Sequence, residues 1–365
     1  MRSQVFDSYR NICEIENVAN YGENASVAII DSEYKPRTAF AESRDIGYCS
    51  DIINHPDDEA TTGHGPTVAN ILSVFSDNIE FNFYRVVQSS GEIHQRHLLK
   101  AMGKAHLNHQ VDVINLSLGY DHSHGGIKCD MPNEPCKTRE AAKRAIDDGI
   151  TVVAAAGNDN ESDQYKPDED ICCPALLDEV ISVSGMFAAC TAQPQESTAS
   201  PTIQQPQPTP PPLSCWVSKD DEVPGAYICT GLGCSMSPGS GCEDHRVVVE
   251  WGGNVDCDPA DIDVLAPAEF PTRSDSGDPT VAGGTSYAAP IVTAVVAEAV
   301  ILLKYGGETP NPDQIRSAIR HANEPLEDGD LGYLNGRRTL DEIAERNEIT
   351  TENPESSTRD PFRER

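Results

Sequence analysis

The sequence lacks three features that mark secreted, membrane and nucleic-acid-binding proteins. Residues 1–21 contain no apolar stretch of the kind that forms a signal peptide. No run predicts a membrane span, since the most apolar one, residues 294–303, is too short. Basic residues are few: 27 lysines and arginines face 59 aspartates and glutamates, which gives a net charge of −32. Because such a charge repels nucleic acids and anionic membranes, neither is an expected partner.

The sequence contains twelve cysteines, and this number conflicts with the lack of a signal peptide as an indication of the cellular compartment. An even number of cysteines favours an oxidising compartment. The N-terminal residues give the cytoplasm as the default location, and secretion is the alternative. The length of 365 residues allows one large α/β domain with accessory segments, because apolar strand-like runs alternate with helical stretches.

Three short segments, far apart in the chain, carry residues that hydrolytic chemistry needs. Asp31 ends the apolar run 25–30, which predicts a buried parallel strand with an acid at its carboxyl end. His64 precedes a stretch with the apolar spacing of a helix. Ser286 stands before the apolar run 291–303, which predicts a long buried helix. The order Asp, His, Ser differs from that of α/β-hydrolases and of chymotrypsin-like enzymes, and it indicates a serine hydrolase triad of another layout.

Two details of the local sequence strengthen this interpretation. A serine at the start of a helix gains from free backbone N–H groups and from the helix dipole, and Pro290 is expected in the first turn of that helix. Residues 151–158 predict a strand that ends in a Gly-Asn turn. The side chain of Asn158 could donate a hydrogen bond to the oxyanion of a tetrahedral intermediate.

Together these segments resemble the subtilisin-like serine peptidases, the subtilase family, from about Asn24 to about Ile343. Four further segments resemble blocks of the same family: 112–119, 173–175 with 180–183, 263–267 and 314–319. The resemblance implies an α/β fold, a three-layer sandwich with a mostly parallel central sheet flanked by helices, which here carries a Cys-rich insertion. It also implies a serine endopeptidase that cleaves peptide bonds through an acyl-enzyme.

The resemblance assigns roles to individual residues. Ser286 would be the nucleophile, His64 the general base and acid, and Asp31 the partner that orients the imidazole. Asn158 and the backbone N–H of Ser286 would form the oxyanion hole. Two sets of residues would bind the substrate. Ser117, Leu118 and Gly119 correspond to the end of the family's substrate-binding edge strand. The wall of the family's S1 pocket corresponds to Ala154, Ala155, Ala156 and Gly157.

The resemblance also sets expectations for partners and cofactors. We expect a monomer that binds an extended peptide or unfolded protein by β-augmentation. No cofactor or metal is required, although weak calcium binding by acidic loops is an alternative. Residues 76–78 lead directly into the next predicted strand, without the loop that builds the family's strong calcium site. The acidic residues between 159 and 170 predict either a preference for basic substrates or a solvated loop.

Two residues depart from the family pattern and leave a second function open. Glu33 stands where the family usually has glycine, and its charge is expected to raise the pKa of His64. Pro66 stands where the family usually has threonine or serine, and it removes one backbone donor. The alternatives are a catalytically weak binding module with a subtilase fold, or a processing peptidase that matures a single precursor peptide.

The predicted domain organisation is one peptidase domain, residues 21–345, between an N-terminal segment, 1–20, and a charged tail, 346–365, predicted to be disordered. An insertion, 187–246, interrupts this domain. It combines a Pro/Gln/Thr-rich linker with four cysteines, 215, 229, 234 and 242, which need disulfides or a metal because so small a module cannot bury a core. We favour disulfides over a zinc site that includes His245. The insertion could screen substrates, bind a partner or have no function.

Overall fold

The computed structural model describes residues 9–15, 22–33, 38–54, 63–107, 110–119, 136–158, 171–190, 247–251, 262–273, 279–325 and 332–350. Its helices are α1 (Thr38–Ala41), α2 (His64–Phe75), α3 (Gln95–Leu107), α4 (Lys137–Asp147), α5 (Thr285–Tyr305), α6 (Pro312–Ala322) and α7 (Gly336–Arg346). Its strands are β1 (Ala25–Asp31), β2 (Asp45–Asp51), β3 (Ile79–Arg85), β4 (Val113–Leu116), β5 (Thr151–Ala155), β6 (Ile181–Cys190), β7 (Val247–Trp251), β8 (Val264–Pro267), β9 (Glu269–Arg273), β10 (Pro279–Gly283), β11 (Glu324–Pro325) and β12 (Gly332–Tyr333).

One mostly parallel sheet forms the centre of the described chain. Its strand order is β11-β12-β8-β6-β5-β4-β1-β3-β2, and β7 pairs with β6. The inner strands β1, β4 and β5 are almost wholly buried, as expected for parallel strands that are covered on both faces. This is the α/β sheet with flanking helices that the sequence predicts.

The helices form two groups that flank the sheet. Helices α2 and α7 both pack against α5, and helix α3 packs against α4. Helix α5 lies at the centre of the first group and contacts β1, β4, β5, β6 and β8. Its side chains from Ala288 to Leu303 are all buried, and full burial of each large aliphatic side chain contributes roughly 1.5–3 kcal/mol. The result is the three-layer arrangement expected from the sequence.

Helix α5 corrects two expectations. At 21 residues it is long and apolar enough to cross a membrane, but 89% of its most apolar stretch is buried inside the protein, as in the core helix of a folded domain. Pro290 does not lie in the first turn, because the helix already begins at Thr285. The proline therefore sits in the second turn, where it cannot donate to the carbonyl of Ser286 four residues earlier.

The chain leaves and re-enters the sheet around the insertion through a pair of antiparallel strands. Strand β6 continues to Cys190, so residues 187–190, the first of the predicted insertion, extend a strand of the sheet. Cys190 pairs with Val247 and Met186 with Trp251. The four insertion cysteines and His245 lie outside the described residues, as do the acidic residues 159–170 and the tail from residue 351.

The described part of the N-terminal segment, residues 9–15, is packed onto the peptidase domain. Cys13 and Ile15 are buried in the core, and the carbonyl of Cys13 accepts a hydrogen bond of 2.7 Å from the N–H of Gly336 at the start of α7. The Tyr9 hydroxyl donates to the carbonyl of Glu269 at 2.6 Å. These contacts make residues 9–15 part of the same core.

Candidate active site

The candidate catalytic residues meet at the carboxyl edge of the parallel sheet. Strand β1 ends at Asp31 and pairs with β3 on one side and β4 on the other. Since the strand order changes direction here, this is the edge at which open α/β sheets bind their ligands. The register pairs Ile29 with Asn115, so Ser117 follows opposite Asp31, two residues beyond the last pair of this ladder.

Asp31 and His64 form a close pair. Nδ1 of His64 lies 2.9 Å from Oδ1 and 3.0 Å from Oδ2 of Asp31. The carboxylate is 1% exposed and the imidazole 29% exposed, so the acid is screened from water while the ring reaches the surface. With its Nδ1 proton directed at the carboxylate, the neutral ring carries its basic lone pair on Nε2, as a general base requires.

The pKa of His64 is raised above its ordinary value of 6.5. Burial acts in the opposite direction, since it disfavours the charged ring. The negative charge of Asp31, its hydrogen bond to the ring and the charge of Glu33 together outweigh burial. The expected effect of Glu33 on the histidine therefore has the predicted sign.

Ser286 is the second residue of α5 and is half-buried. Its hydroxyl donates a hydrogen bond of 3.1 Å to the backbone carbonyl of Ser117. The ring of the next residue, Tyr287, lies 5.6 Å from the imidazole of His64, centroid to centroid. Strand β1, the start of α2 and the start of α5 thus bring Asp31, His64 and Ser286 into one site.

Asn158 lies against the start of α5, where the oxyanion hole is expected. Its Oδ1 accepts from the backbone N–H of Thr285 at 2.8 Å, and the hydroxyl of Thr285 lies 3.1 Å from the same oxygen. These contacts occupy Oδ1 and leave the Nδ2 donor for another acceptor. Gly284 has a φ of 133°, and a Cβ there would lie 2.9 Å from Nδ2 of Asn158, so glycine is needed for this approach.

The substrate-binding residues occupy the same edge, with one correction. Strand β4 is interior to the sheet, paired with β1 and β5, and is not an edge strand as predicted. Ser117, Leu118 and Gly119 continue past its last residue. A Cβ at Gly119 would lie 2.7 Å from that of Cys172, so the segment packs closely on the loop before β6.

The expected S1 wall, 154–157, consists of the last two residues of the adjacent strand β5 and the two residues after it. Ala154, Ala155 and Ala156 are at most 3% exposed, and Gly157 is the partly exposed member. The N–H of Ala156 donates to the carbonyl of Val183 at 2.9 Å, which ties this wall to β6. The backbone around Gly157, more than the alanine side chains, therefore faces the site.

The described residues contain no group of three or more His, Cys, Asp or Glu side chains that could hold a metal ion. The connection between α2 and β3 consists of residues 76–78 only, as expected from the sequence. In this part of the chain the donor set does not fit the family's strong calcium site.

Three polar residues support the site without having been predicted. Thr285 is fully buried and its hydroxyl accepts from the N–H of Gly157 at 3.1 Å. Asn115 is also fully buried and joins β4 to α5, because it donates to the Ser117 hydroxyl at 3.0 Å and accepts from Thr293 at 2.8 Å. A polar residue in a run of buried strand residues, as in Val-Ile-Asn-Leu, is the signal that could have indicated Asn115.

Comparison with known proteins identifies relatives along most of the chain. The family model of the subtilases, Peptidase S8, matches residues 22–337. The major intracellular serine protease of Bacillus subtilis (strain 168) is 34% identical over 80 residues, which cover 22% of this chain and 21% of that protein. Subtilisin DY of Bacillus licheniformis is 27% identical over 174 residues, 45% of this chain and 57% of that protein. The matched segments span less than two thirds of either relative.

Solved structures share the fold over nearly the whole chain. The prenylagaramide maturation protease PagA has a TM-score of 0.54 at 19% identity, covering 89% of this chain and 95% of that chain. The patellamide maturation protease PatA has a TM-score of 0.55 at 18% identity, covering 88% and 98%. A lanthipeptide protease has a TM-score of 0.57 at 17% identity, covering 92% and 91%. At these identities the likeness establishes the fold alone.

Proposed function

The chain belongs to the subtilase family, and from that premise we propose that it is a serine endopeptidase that hydrolyses peptide bonds through an acyl-enzyme on Ser286. The observation that carries this proposal is the arrangement of His64 between the buried carboxylate of Asp31, 2.9 Å away, and the start of the helix that holds Ser286. A histidine so held is an oriented base beside a hydroxyl nucleophile.

The proposed reaction begins when His64 Nε2 takes the proton of the Ser286 hydroxyl. The serine oxygen attacks the substrate carbonyl carbon, and the hydroxyl gives up its hydrogen bond to the Ser117 carbonyl. Asn158 Nδ2 and the Ser286 N–H stabilise the oxyanion. The C–N bond then breaks as His64 donates its proton to the leaving amine. Water attacks the acyl-enzyme in the same way, releases the acid and restores Ser286.

The proposed substrate is an extended peptide or unfolded segment. Residues 117–119 follow the last paired residue of β4, which supports the proposal that their backbone continues the sheet onto a substrate strand. Ala154 to Gly157 would form the wall facing the P1 side chain. Truncating the peptide substrate on its P side should therefore lower kcat/KM by removing main-chain hydrogen bonds.

A processing peptidase for one precursor is the second candidate. It is favoured by the fold's likeness to prenylagaramide, patellamide and lanthipeptide proteases, of which the first two are maturation proteases. Digestion of casein beside a panel of short fluorogenic peptides separates the two candidates. General cleavage of casein supports the broad endopeptidase, whereas cleavage of one motif supports processing. Cleavage of neither substrate by folded protein would support a binding module.

We also propose that the enzyme requires no cofactor, is a monomer and acts in the cytoplasm. If no metal is needed, incubation with EDTA should leave kcat/KM within about twofold of the untreated value, since catalysis here uses only side chains and backbone donors. Loss of activity on EDTA treatment that calcium restores would contradict this part of the proposal. Light scattering of the purified chain tests whether the enzyme is a monomer.

A further inference from the structure

Helix α2, which begins at the candidate base His64, has no cap of its own. Its N-cap residue is Gly63, with a φ of 67° and no side-chain cap hydrogen bond. The first N–H groups of a helix have no acceptor within it. Partners for these donors must come from another part of the chain.

Glu33 supplies acceptors to both neighbours of His64. Its Oε1 accepts from the N–H of Gly63, and its Oε2 accepts from the N–H of Gly65 at 3.0 Å. The hydroxyl of Ser32 donates to the same carboxylate and accepts from Gly65 at 3.1 Å. A carboxylate from the loop after β1 therefore performs the capping that serine, threonine or aspartate at the N-cap usually performs.

The approach of Glu33 depends on the glycine after His64. A Cβ on Gly65 would lie 3.1 Å from Oε2 of Glu33 and 3.2 Å from Cβ of Asp31. These are tighter than most real Cβ contacts, so a side chain here would force the helix start away from both carboxylates. Glycine lets one helix end lie against Asp31 and Glu33 together.

The two departures from the family pattern, Glu33 and Pro66, occur at the same helix end. Pro66 is the third residue of α2 and has no N–H. Proline at this position removes one of the free donors, and Glu33 takes up those of Gly63 and Gly65. At this helix start the donors of Gly63 and Gly65 are therefore occupied, and residue 66 has no donor.

The charge of Glu33 also acts on the imidazole between these glycines. A helix N-terminus carries a partial positive charge, which disfavours a protonated histidine at its first position. The other titratable groups that face His64 among the described residues are Asp31 from β1 and Tyr287 from α5. Since Tyr287 is uncharged near neutral pH, Asp31 and Glu33 are the two negative charges that favour imidazolium.

We propose that Glu33 is a positioning residue for this active site: it fixes the start of α2 so that His64 faces Asp31, and its charge stabilises the imidazolium that forms when Ser286 gives up its proton. The pKa of His64 agrees with this role: burial lowers it, but Asp31 and, to a smaller extent, Glu33 raise it above its ordinary value. The catalytic part of the inference rests on the proposed function, whereas the effect on His64 does not.

The test compares Glu33→Gln with Glu308→Gln in the full chain. Glu308 is exposed just beyond α5, whose 21 residues place it roughly 30 Å from Ser286. The pKa of His64 is measured by NMR titration, with His64→Gln to assign the resonance, and the acid limb of kcat/KM is measured on a fluorogenic peptide. We expect Glu33→Gln to lower both midpoints by about half to one unit, and Glu308→Gln to change neither.

The Glu33→Asp variant separates the effect of Glu33 on the position of the helix start from the effect of its charge. It also keeps the inference testable if Glu33→Gln does not fold. This variant keeps the charge but shortens the reach to Gly63 and Gly65. We expect the pKa of His64 to stay near the wild-type value while kcat falls about tenfold or more and KM changes little. A wild-type pKa and wild-type kcat in both variants would overturn the inference. A shift in the pKa of His64 in a chain that hydrolyses no peptide would contradict the proposed function instead.

Discussion

At the residue scale, the site depends on polar groups whose second contacts fix their direction. Asn158 is an example, because Thr285 occupies its Oδ1 through both the backbone N–H and the hydroxyl. His64 is another, because Asp31 accepts from Nδ1 and thereby assigns the proton to that nitrogen. The sequence predicted Asn158 and His64 from their motifs, but it could not predict Thr285 as a partner, since that contact spans 127 residues.

The raised pKa of His64 predicts an activity profile displaced towards alkaline pH. The base must be neutral, so activity is present above the pKa of His64 and is lost as the pH falls through it. We therefore expect the acid limb of kcat/KM to have its midpoint above 6.5, the ordinary histidine value. The measurement is kcat/KM on a neutral fluorogenic peptide across about pH 5 to 9. A midpoint below 6.5 would contradict the electrostatics of the Asp31 and Glu33 pair.

Replacing the proposed oxyanion donor should affect rate more than binding. Asn158→Ala is expected to lower kcat by about 10²–10³ with KM little changed, a figure that comes from the equivalent donor in subtilisin itself. The reason is that Nδ2 bonds an oxygen that carries charge only in the transition state. Steady-state kinetics on one peptide measure this effect, with Asn347→Ala, at the C-cap of α7, as the control. An equal loss in both variants would indicate general destabilisation.

At the element scale, the sequence predicted the parallel strands and the amphipathic helices. It did not always predict where these elements begin and end or which strands pair. Residues 113–116 have the composition of a buried strand, but only the register shows that β4 is interior. Pro290 suggests a helix start, yet α5 begins five residues earlier, where the N–H of Thr285 donates to Oδ1 of Asn158 and Gly284 allows the close approach. In both places the structure depends on a contact between residues that are far apart in sequence, and local sequence patterns cannot predict such a contact.

The packing of residues 9–15 predicts a stabilising role for this segment. Ile15 is 4% exposed and lies against the start of α7, where a Cβ on Gly336 would be 3.2 Å from Cγ1 of Ile15. Ile15→Ala should lower the free energy of unfolding by about 2–5 kcal/mol, as expected for a buried aliphatic side chain. Urea denaturation followed by circular dichroism measures the change.

The matched control for Ile15 is Leu107, which is 70% exposed. Leu107→Ala removes a similar side chain and should change the unfolding free energy by less than about 0.5 kcal/mol. A small effect of Ile15→Ala, comparable with that of the control, would show that residues 9–15 are not part of the cooperative core.

At the scale of the whole molecule, the fold separates the peptidase from the insertion. The sequence located the insertion by its composition, but it could not show that residues 187–190 and 247–251 pair as antiparallel strands. Because Cys190 and Val247 are cross-strand partners, the chain enters and leaves the insertion at nearly the same point. Neighbouring antiparallel strands can be joined by a two-residue turn.

This geometry predicts that the peptidase domain folds without residues 191–246. A variant in which Asn-Gly joins Cys190 to Val247 should form a type I′ hairpin connection and keep the wild-type melting temperature within about 5 °C. Its kcat/KM on a short peptide should change less than about threefold, since the triad lies on β1, α2 and α5. Differential scanning calorimetry and peptide kinetics check this. Loss of folding would show that the insertion is a structural part of the domain.

The most direct test of the account is labelling of the purified chain with a fluorophosphonate probe, beside Ser286→Ala and His64→Ala. The account predicts strong labelling of the wild type on Ser286 and loss of labelling in both variants, because the probe reacts only with a serine that a neighbouring base activates. Circular dichroism confirms that all three chains are folded. No labelling of the folded wild type at a pH above the pKa of His64, or labelling that persists in Ser286→Ala, would contradict a serine peptidase centred on Asp31, His64 and Ser286.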